Sequence, residues 1–361
     1  MTTGKISRAR FLMAAGAVAA APLIAAEPAG AAGRRAPVRH GVCYAVGDGD
    51  VAGTGWTAAR MRADLRAIAC DLHANAISVY GTGPDRLAAT AAEAAERGLS
   101  VWLQPRLGDL PPADILDHVA ETGRRAERLR RGGARVVLSV GCEFVLFVPS
   151  IVPGADVLER VRNLMSGNFD PVIMQRRLTA FTARAARVGR SVFRGRLTYG
   201  AAHDEQVDWS LFDMVGVNYY GDRPRRDLAP VMRLGKPVAV TEFGCCTYEG
   251  AAADGGMGWD VVDYTKEPPE IRGNLVRSEE TQARYLTDRL GDFASMNLAA
   301  ALVYDFVSPD APYRRNPRYD MDLASYSIVR TIWADGTDPA NGWHWEPKRA
   351  FHALARRFAA A

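Results

Sequence analysis

Two glutamates about 100 residues apart each close an apolar run of the kind that forms a buried strand. Glu143 ends Arg135-Val-Val-Leu-Ser-Val-Gly-Cys-Glu-Phe144, and Glu242 lies in Lys236-Pro-Val-Ala-Val-Thr-Glu-Phe-Gly244. A carboxylate at the C-terminal end of an all-apolar parallel strand is poorly placed for stability and well placed for chemistry. Two of them suit one reaction in particular, cleavage of a glycosidic bond by an acid and a nucleophile. Retaining cleavage needs carboxyls roughly 5–5.5 Å apart, one protonated and one ionised. Two close carboxyls cannot both ionise easily, so one pKa rises and an acid becomes available near neutral pH.

Alternation along the strands sorts what faces the glutamates. Ser139, Gly141 and Glu143 share one face of their strand, and Val238, Val240 and Glu242 share one face of theirs. Asn218 and Tyr220 share a face of the run before Glu242, and Gln104 and Arg106 share a face of the run before Glu143. Aromatic side chains that could stack on a sugar are Trp56, Trp102, Tyr248, Trp259 and Tyr313; Asp48, Asp50, Asp305 and Asp310 are candidates for its hydroxyls.

These residues need a scaffold that brings many strand ends together. Short apolar runs at 38–46, 76–80, 99–106, 136–144, 196–202, 214–220, 237–243 and 300–307 alternate with helical patterns at 57–73, 84–97, 111–131, 172–189, 278–296 and 346–359. Such alternation implies parallel strands with crossover helices. Eight units predict an α/β fold, a single-domain (β/α)8 TIM barrel over residues 32–361, with loop insertions at about 145–171, 245–276 and 308–341. A doubly wound open sheet is the runner-up. It would place a glycine-rich phosphate turn after the first strand, where Gly47-Asp-Gly-Asp50 is too acidic to hold phosphate.

The formal charge of +4 is small, and no basic cluster interleaves with aromatics, so nucleic acid is not an expected partner. Lys5, Arg8 and Arg10 followed by the apolar run 11–26 and Ala29-Gly-Ala31 predict an export signal over 1–31 and an extracytoplasmic protein, by the Sec or Tat route, without stable membrane insertion. Neither HExxH nor HxH nor CxxC occurs, which argues against a metal site, and no cofactor is expected. The odd count of five cysteines leaves at least one thiol free or paired between chains, and Cys70 reads as a core residue.

On these runs the sequence resembles the clan A (β/α)8 retaining glycoside hydrolases. Val240-Thr-Glu-Phe-Gly244 is similar to their nucleophile strand, Phe212-Asp-Met-Val-Gly-Val-Asn-Tyr-Tyr220 to their sixth strand, and Trp345-Glu-Pro-Lys-Arg-Ala-Phe351 to their closing helix. The resemblance implies a secreted glycosidase acting on oligo- or polysaccharides, with Glu143 as acid/base, Glu242 as nucleophile and the Tyr220 hydroxyl on the nucleophile. Asn218, Gln104, Arg106, Tyr80, Trp56, Trp259, Asp305 and Cys142 would then bind substrate. The chain departs from the clan at three places. Cys142 replaces the asparagine before the acid/base, which normally bonds the sugar 2-hydroxyl. Tyr80 stands where the clan has an arginine near strand two. The last strand ends Val303-Tyr-Asp-Phe306 without a tryptophan.

Other readings compete. The glutamates could be structural partners of an arginine such as Arg106, Cys142 or Cys245, which flank them, could be a thiolate nucleophile with a bound metal, and His203 and Arg124 to Arg131 read as solvated. The second function is a catalytically silent, glycan-binding barrel of the cell envelope. The insertion after strand four and the two long loops would close one end of a cleft and favour exo action.

Overall fold

The computed structural model describes residues 38–49, 51–202, 205–336 and 338–360; the predicted export signal 1–31, Asp50 and His203 lie outside the described residues. The eight apolar runs become strands because β-branched and small residues on both faces can be buried in a parallel sheet covered by helices. They are β1 (Arg39–Val46), β2 (Ala76–Gly81), β3 (Ser100–Pro105), β4 (Val136–Cys142), β5 (Arg196–Ala202), β6 (Val215–Asn218), β7 (Val238–Phe243) and β8 (Ala300–Val303). Each pairs in parallel with the next, and β8 closes on β1 with Arg39 opposite Ala300. This is the expected (β/α)8 barrel. Closure brings β1 close to β2 at Gly41, where a Cβ would stand 1.8 Å from the Ala76 carbonyl oxygen, so only glycine fits.

The long helices are α1 (Ala58–Arg66), α2 (Pro84–Glu96), α3 (Pro112–Arg131), α4 (Val157–Ser166), α5 (Pro171–Val192), α6 (Glu279–Ala294) and α7 (Arg349–Ala359). Their ends are written in the sequence. Asp170 accepts from the amides of Val172 and Ile173 ahead of Pro171, and Ser278 accepts from Thr281. Arg128, Arg130 and Arg131 close α3 against the negative end of its dipole.

Two packing layers result. Outward residues such as Val42, Leu103, Leu138, Val140, Val217, Val238 and Val240 join the helices in one large core. Inward residues Cys43, Ala76, Tyr80, Trp102, Met214, Ala239, Ala300 and Leu302 fill the barrel. Strict alternation therefore misplaces Val238 and Val240, which face the helices and not the side of Glu242. The register explains why Glu242 nevertheless faces the mouth. Val217 pairs with Val240 but Asn218 pairs with Glu242, so Thr241 is an extra residue and the strand bulges. β4 does the same between Ser139 and Cys142. Bulges commonly re-aim side chains beside functional sites.

The insertion after β4 holds a short helical turn, Phe144–Phe147, and then α4. Arg160 of α4 is fully buried; its guanidinium donates to the carbonyls of Leu146 and Gly154 and pairs with Asp109. The last loop is less irregular than expected. Val329–Trp333 forms strand β9, antiparallel to β10 (Trp343–Pro347), and the final helix starts at Arg349, not at Glu346. Trp343-His-Trp-Glu alternates with a strand's period, and its Trp345 indole N–H is held by Asp64 at 2.8 Å. Below this hairpin the fully buried Lys348 lies 2.8 Å from Asp322 and 3.0 Å from the Thr247 hydroxyl, while Arg277 binds both Asp322 and Asp320. The network ties the loops after β7 and β8 to the starts of α6 and α7. Among the described residues no helix is long and apolar enough to cross a membrane.

Candidate active site

Glu242, at the end of β7, is only 5% exposed, and both of its carboxylate oxygens have donors. Oε1 pairs with the Arg106 guanidinium and accepts from the Cys142 thiol at 3.6 Å. Oε2 accepts from the Tyr220 hydroxyl at 3.1 Å. Burial and the Glu242 charge push the Tyr220 phenol well above its ordinary range, so it stays a donor. Burial likewise pushes the Cys142 thiol well up; the Arg106 charge opposes this and the Glu242 charge adds to it. Cys142 is thus placed as a thiol donor to Glu242, a setting that disfavours a thiolate.

Arg106 follows β3 and reaches across the mouth. Its Nε and Nη2 donate to Gln104 Oε1 at 3.1 and 2.6 Å, and its guanidinium lies 4.1 Å over the Tyr80 ring and 5.6 Å from the Phe147 ring centre. Arg106 thus spans from the Tyr80 ring to Glu242. The pair has side-chain exposures of 12% for Arg106 and 7% for Glu242. Removing one partner of such a pair costs about 3–5 kcal/mol, because the other charge stays buried alone. Arg106→Met is therefore expected to lower unfolding stability by about that amount, and Arg106→Met with Glu242→Leu to recover most of it. Urea unfolding checks this; an unchanged midpoint in the single variant would contradict it.

Glu143 follows the β4 bulge. Its backbone is left-handed, with φ 38° and ψ 57°, a conformation that costs a non-glycine residue about 1–3 kcal/mol and persists only where neighbours enforce it. Its carboxylate Oε1 accepts from Asn218 Nδ2 at 3.1 Å. The same amide donates to Cys142 Sγ at 3.2 Å, and Asn218 Oδ1 accepts from the Thr241 hydroxyl at 2.8 Å. One buried amide thus touches Glu143 directly and Glu242 through Cys142. Gly200 of β5 makes room for this junction: a Cβ there would stand 3.2 Å from Gln104 Nε2 and 3.5 Å from Asn218 Oδ1.

The other expected site residues divide. Tyr80 and Asp305 are at the mouth: the Tyr80 hydroxyl is 3.2 Å from that of Tyr304 and 3.4 Å from Asp305 Oδ2, and Ser308 donates to Asp305 Oδ1 at 3.3 Å. Asn218 and Gln104 are each 1% exposed; both amide atoms of Asn218 and the Gln104 side-chain oxygen bind protein groups, so they orient Glu143, Cys142 and Arg106. Trp56 is not brought to the glutamates; its indole N–H binds Thr90 of α2, on the helix side of the barrel. Trp259 is half-buried in the loop after β7. Trp102 is buried inside the barrel, Tyr248 is tied to Asp254 and Gly258, and the Tyr313 ring faces the guanidinium groups of Arg277 and Arg330. Asp48 pairs with Arg86, and Asp310 holds the amide of Val51. All five cysteines are free, and Cys70 is exposed, not core. Among the described residues no group of three His, Cys, Asp or Glu side chains could hold a metal ion.

Burial pushes the Asp305 carboxyl up to about 7. An unfolded aspartate ionises near roughly 4, so between about 4 and 7 the folded chain holds a proton that the unfolded chain releases. This contribution to stability is complete below about 4 and is lost as pH rises through about 7. Asp305→Asn is therefore expected to decline in Tm less steeply than the wild type across that window; parallel declines would contradict it.

Tyr304, Thr241, Tyr199 and Glu205 were not foreseen. Glu205 follows β5 on a loop, and its carboxyl is pushed up to about 8 by burial and then by the charge of Glu143. Its closeness to the end of the fifth strand was the one signal available.

No family model matches the sequence, and no curated protein is similar to it. Solved structures are similar in fold. The GH113 β-mannanase of Alicyclobacillus acidocaldarius in complex with ManMIm has a TM-score of 0.53 and 19% identity, over 89% of this chain and 96% of that one. A GH113 β-1,4-mannanase has a TM-score of 0.58 and 14% identity, over 90% of this chain and 99% of that one. The β-D-glucuronidase of Dictyoglomus thermophilum has a TM-score of 0.51 and 16% identity, over 90% of this chain and 51% of that one. At these identities the likeness is one of fold, a closed parallel barrel covering nearly the whole chain.

Proposed function

We propose that the protein is a retaining glycoside hydrolase in which Glu242 is the nucleophile and Glu143 the acid/base. The observation that carries this reading is the junction at the mouth: two glutamates from the ends of β4 and β7 joined through Asn218 and Cys142, with Tyr220 donating to Glu242. The mannanases and glucuronidase of similar fold support it.

The groups fit the steps. The Glu242 carboxylate attacks the anomeric carbon as the bond to the leaving oxygen breaks, and Glu143 gives that oxygen its proton. The ionised Glu143 then takes a proton from water, whose oxygen attacks the same carbon and releases Glu242. Tyr220 and Arg106 hold the two oxygens of Glu242 and aim its carboxylate. The substrate in this reading is a carbohydrate, and export through the segment 1–31 places the enzyme outside the cytoplasm.

A hydrolysis screen on aryl pyranosides and furanosides of both anomers, with bacterial and plant polysaccharides, tests the reading. Hydrolysis by the wild type that vanishes in the double variant Glu143→Ala/Glu242→Ala is expected. A glycan bound but never cleaved would favour the silent barrel instead.

A further inference from the structure

We propose that Tyr199 and Glu205 are the positioning residues that hold Glu143 in its working conformation, by binding the two backbone amides that follow it. The proposal rests on the reading of Glu143 as acid/base. Three successive amides leave the end of β4, and each has its own acceptor. The Glu143 N–H donates to the Gly200 carbonyl at 2.9 Å, that of Phe144 to the Tyr199 hydroxyl at 2.6 Å, and that of Val145 to Glu205 Oε1 at 3.3 Å. The first acceptor belongs to ordinary strand pairing. The other two are side chains brought from β5 and the loop after it, and they act as one unit: the Tyr199 hydroxyl lies 3.1 and 2.9 Å from the two oxygens of Glu205. Glu205 Oε2 also accepts from the amide of Ala202 at 3.0 Å, which anchors the carboxylate to its own strand.

Together they grip the start of the Phe144–Phe147 turn, whose Leu146 and Phe147 amides return to the Glu143 carbonyl at 2.8 and 3.3 Å. Residue 143 is thereby held left-handed from both sides, with its carboxylate on Asn218. Tyr199 is fully buried, and its ring is 4.7 Å from that of Phe144, so the hydroxyl can be removed without removing the packing. Both Glu205 oxygens are taken up by this segment and its support, the Val145 amide on one and the Ala202 amide on the other, so the pair is set directly on the backbone that carries Glu143.

The test uses Tyr199→Phe, Glu205→Ala and Glu205→Gln. Departure of an activated phenolate such as 2,4-dinitrophenolate needs no proton, whereas departure of an alkyl or weakly acidic aryl alcohol does. General acid catalysis is worth about 10²–10⁴-fold. In Tyr199→Phe and Glu205→Ala, kcat/KM is expected to fall about 10²-fold for poor leaving groups and to stay within a few-fold for dinitrophenyl glycosides. Glu205→Gln, which keeps an acceptor for Val145, is expected to recover most of the loss. Equal losses on both substrate classes would overturn the proposal and assign the pair to general stability. A crystal structure of Tyr199→Phe decides the matter independently of turnover. Departure of residue 143 from the left-handed region, with loss of its contact to Asn218, is expected; retention of both would overturn the proposal. A wild type that cleaves nothing would sink the glycosidase reading while leaving this second readout intact.

Discussion

Glu242→Ala is expected to lower kcat/KM by about 10⁴-fold or more, equivalent to ~5.5 kcal/mol of transition-state stabilisation, because the proposed covalent intermediate forms on its carboxylate. Arg106 and Tyr220, which hold the two carboxylate oxygens, would remain around the vacated space. They form a ready site for a small anion. Azide added to the variant should therefore restore turnover of activated aryl glycosides and yield a glycosyl azide inverted at the anomeric carbon, since it attacks from the face that Glu242 occupied. Kinetics with and without azide and the product's proton spectrum check both parts. Activity within ten-fold of wild type in Glu242→Ala would remove Glu242 from the chemistry.

Glu143→Ala should show a different signature. Its loss removes proton donation in the first step and proton abstraction in the second, each worth about 10²–10⁴-fold. Glycosides with poor leaving groups should lose that factor in kcat/KM, while dinitrophenyl glycosides keep theirs and instead lose kcat, because hydrolysis of the intermediate becomes slow. Azide should then raise kcat and give a glycosyl azide of retained configuration, the opposite of the Glu242→Ala product. A loss independent of the leaving group, with no azide product, would contradict the assignment. The two variants thus separate the roles by stereochemistry as well as by rate.

The barrel was legible in the sequence because parallel strands buried on both faces read as unbroken apolar runs that alternate with helical patterns. The ends of β4 and β7 were legible for the same reason. What alternation could not show was the one-residue slip in each of these strands. It turns Cys142 of β4 inward beside Gly141, and it turns Glu242 of β7 to the mouth beside Thr241 although Val238 and Val240 face the helices. A bulge changes no residue's hydropathy, only its partner.

Arg106 was read as sharing a face with Gln104; its length lets it lie over Tyr80 and reach Glu242, a contact set by tertiary geometry. Asn218 and Gln104 face inward as their strands require, yet the Asn218 amide and the Gln104 side-chain oxygen bind protein groups. Trp56 was judged by residue type alone, and its indole found Thr90 outside the barrel. Glu205 and Tyr199 escaped notice because a loop carboxylate and a strand tyrosine carry no pattern until the fold places them on the backbone after Glu143.

The configuration of the first-formed product tests the central claim most directly. Proton NMR would follow the anomeric signals during the first minutes of hydrolysis of whichever aryl glycoside the wild type cleaves, before mutarotation mixes them. Two displacements at one carbon, through a covalent bond to Glu242, predict that the first sugar released has the anomeric configuration of the substrate. A first-formed product of inverted configuration would mean that water attacks directly, and would contradict the assignment of Glu242 as nucleophile.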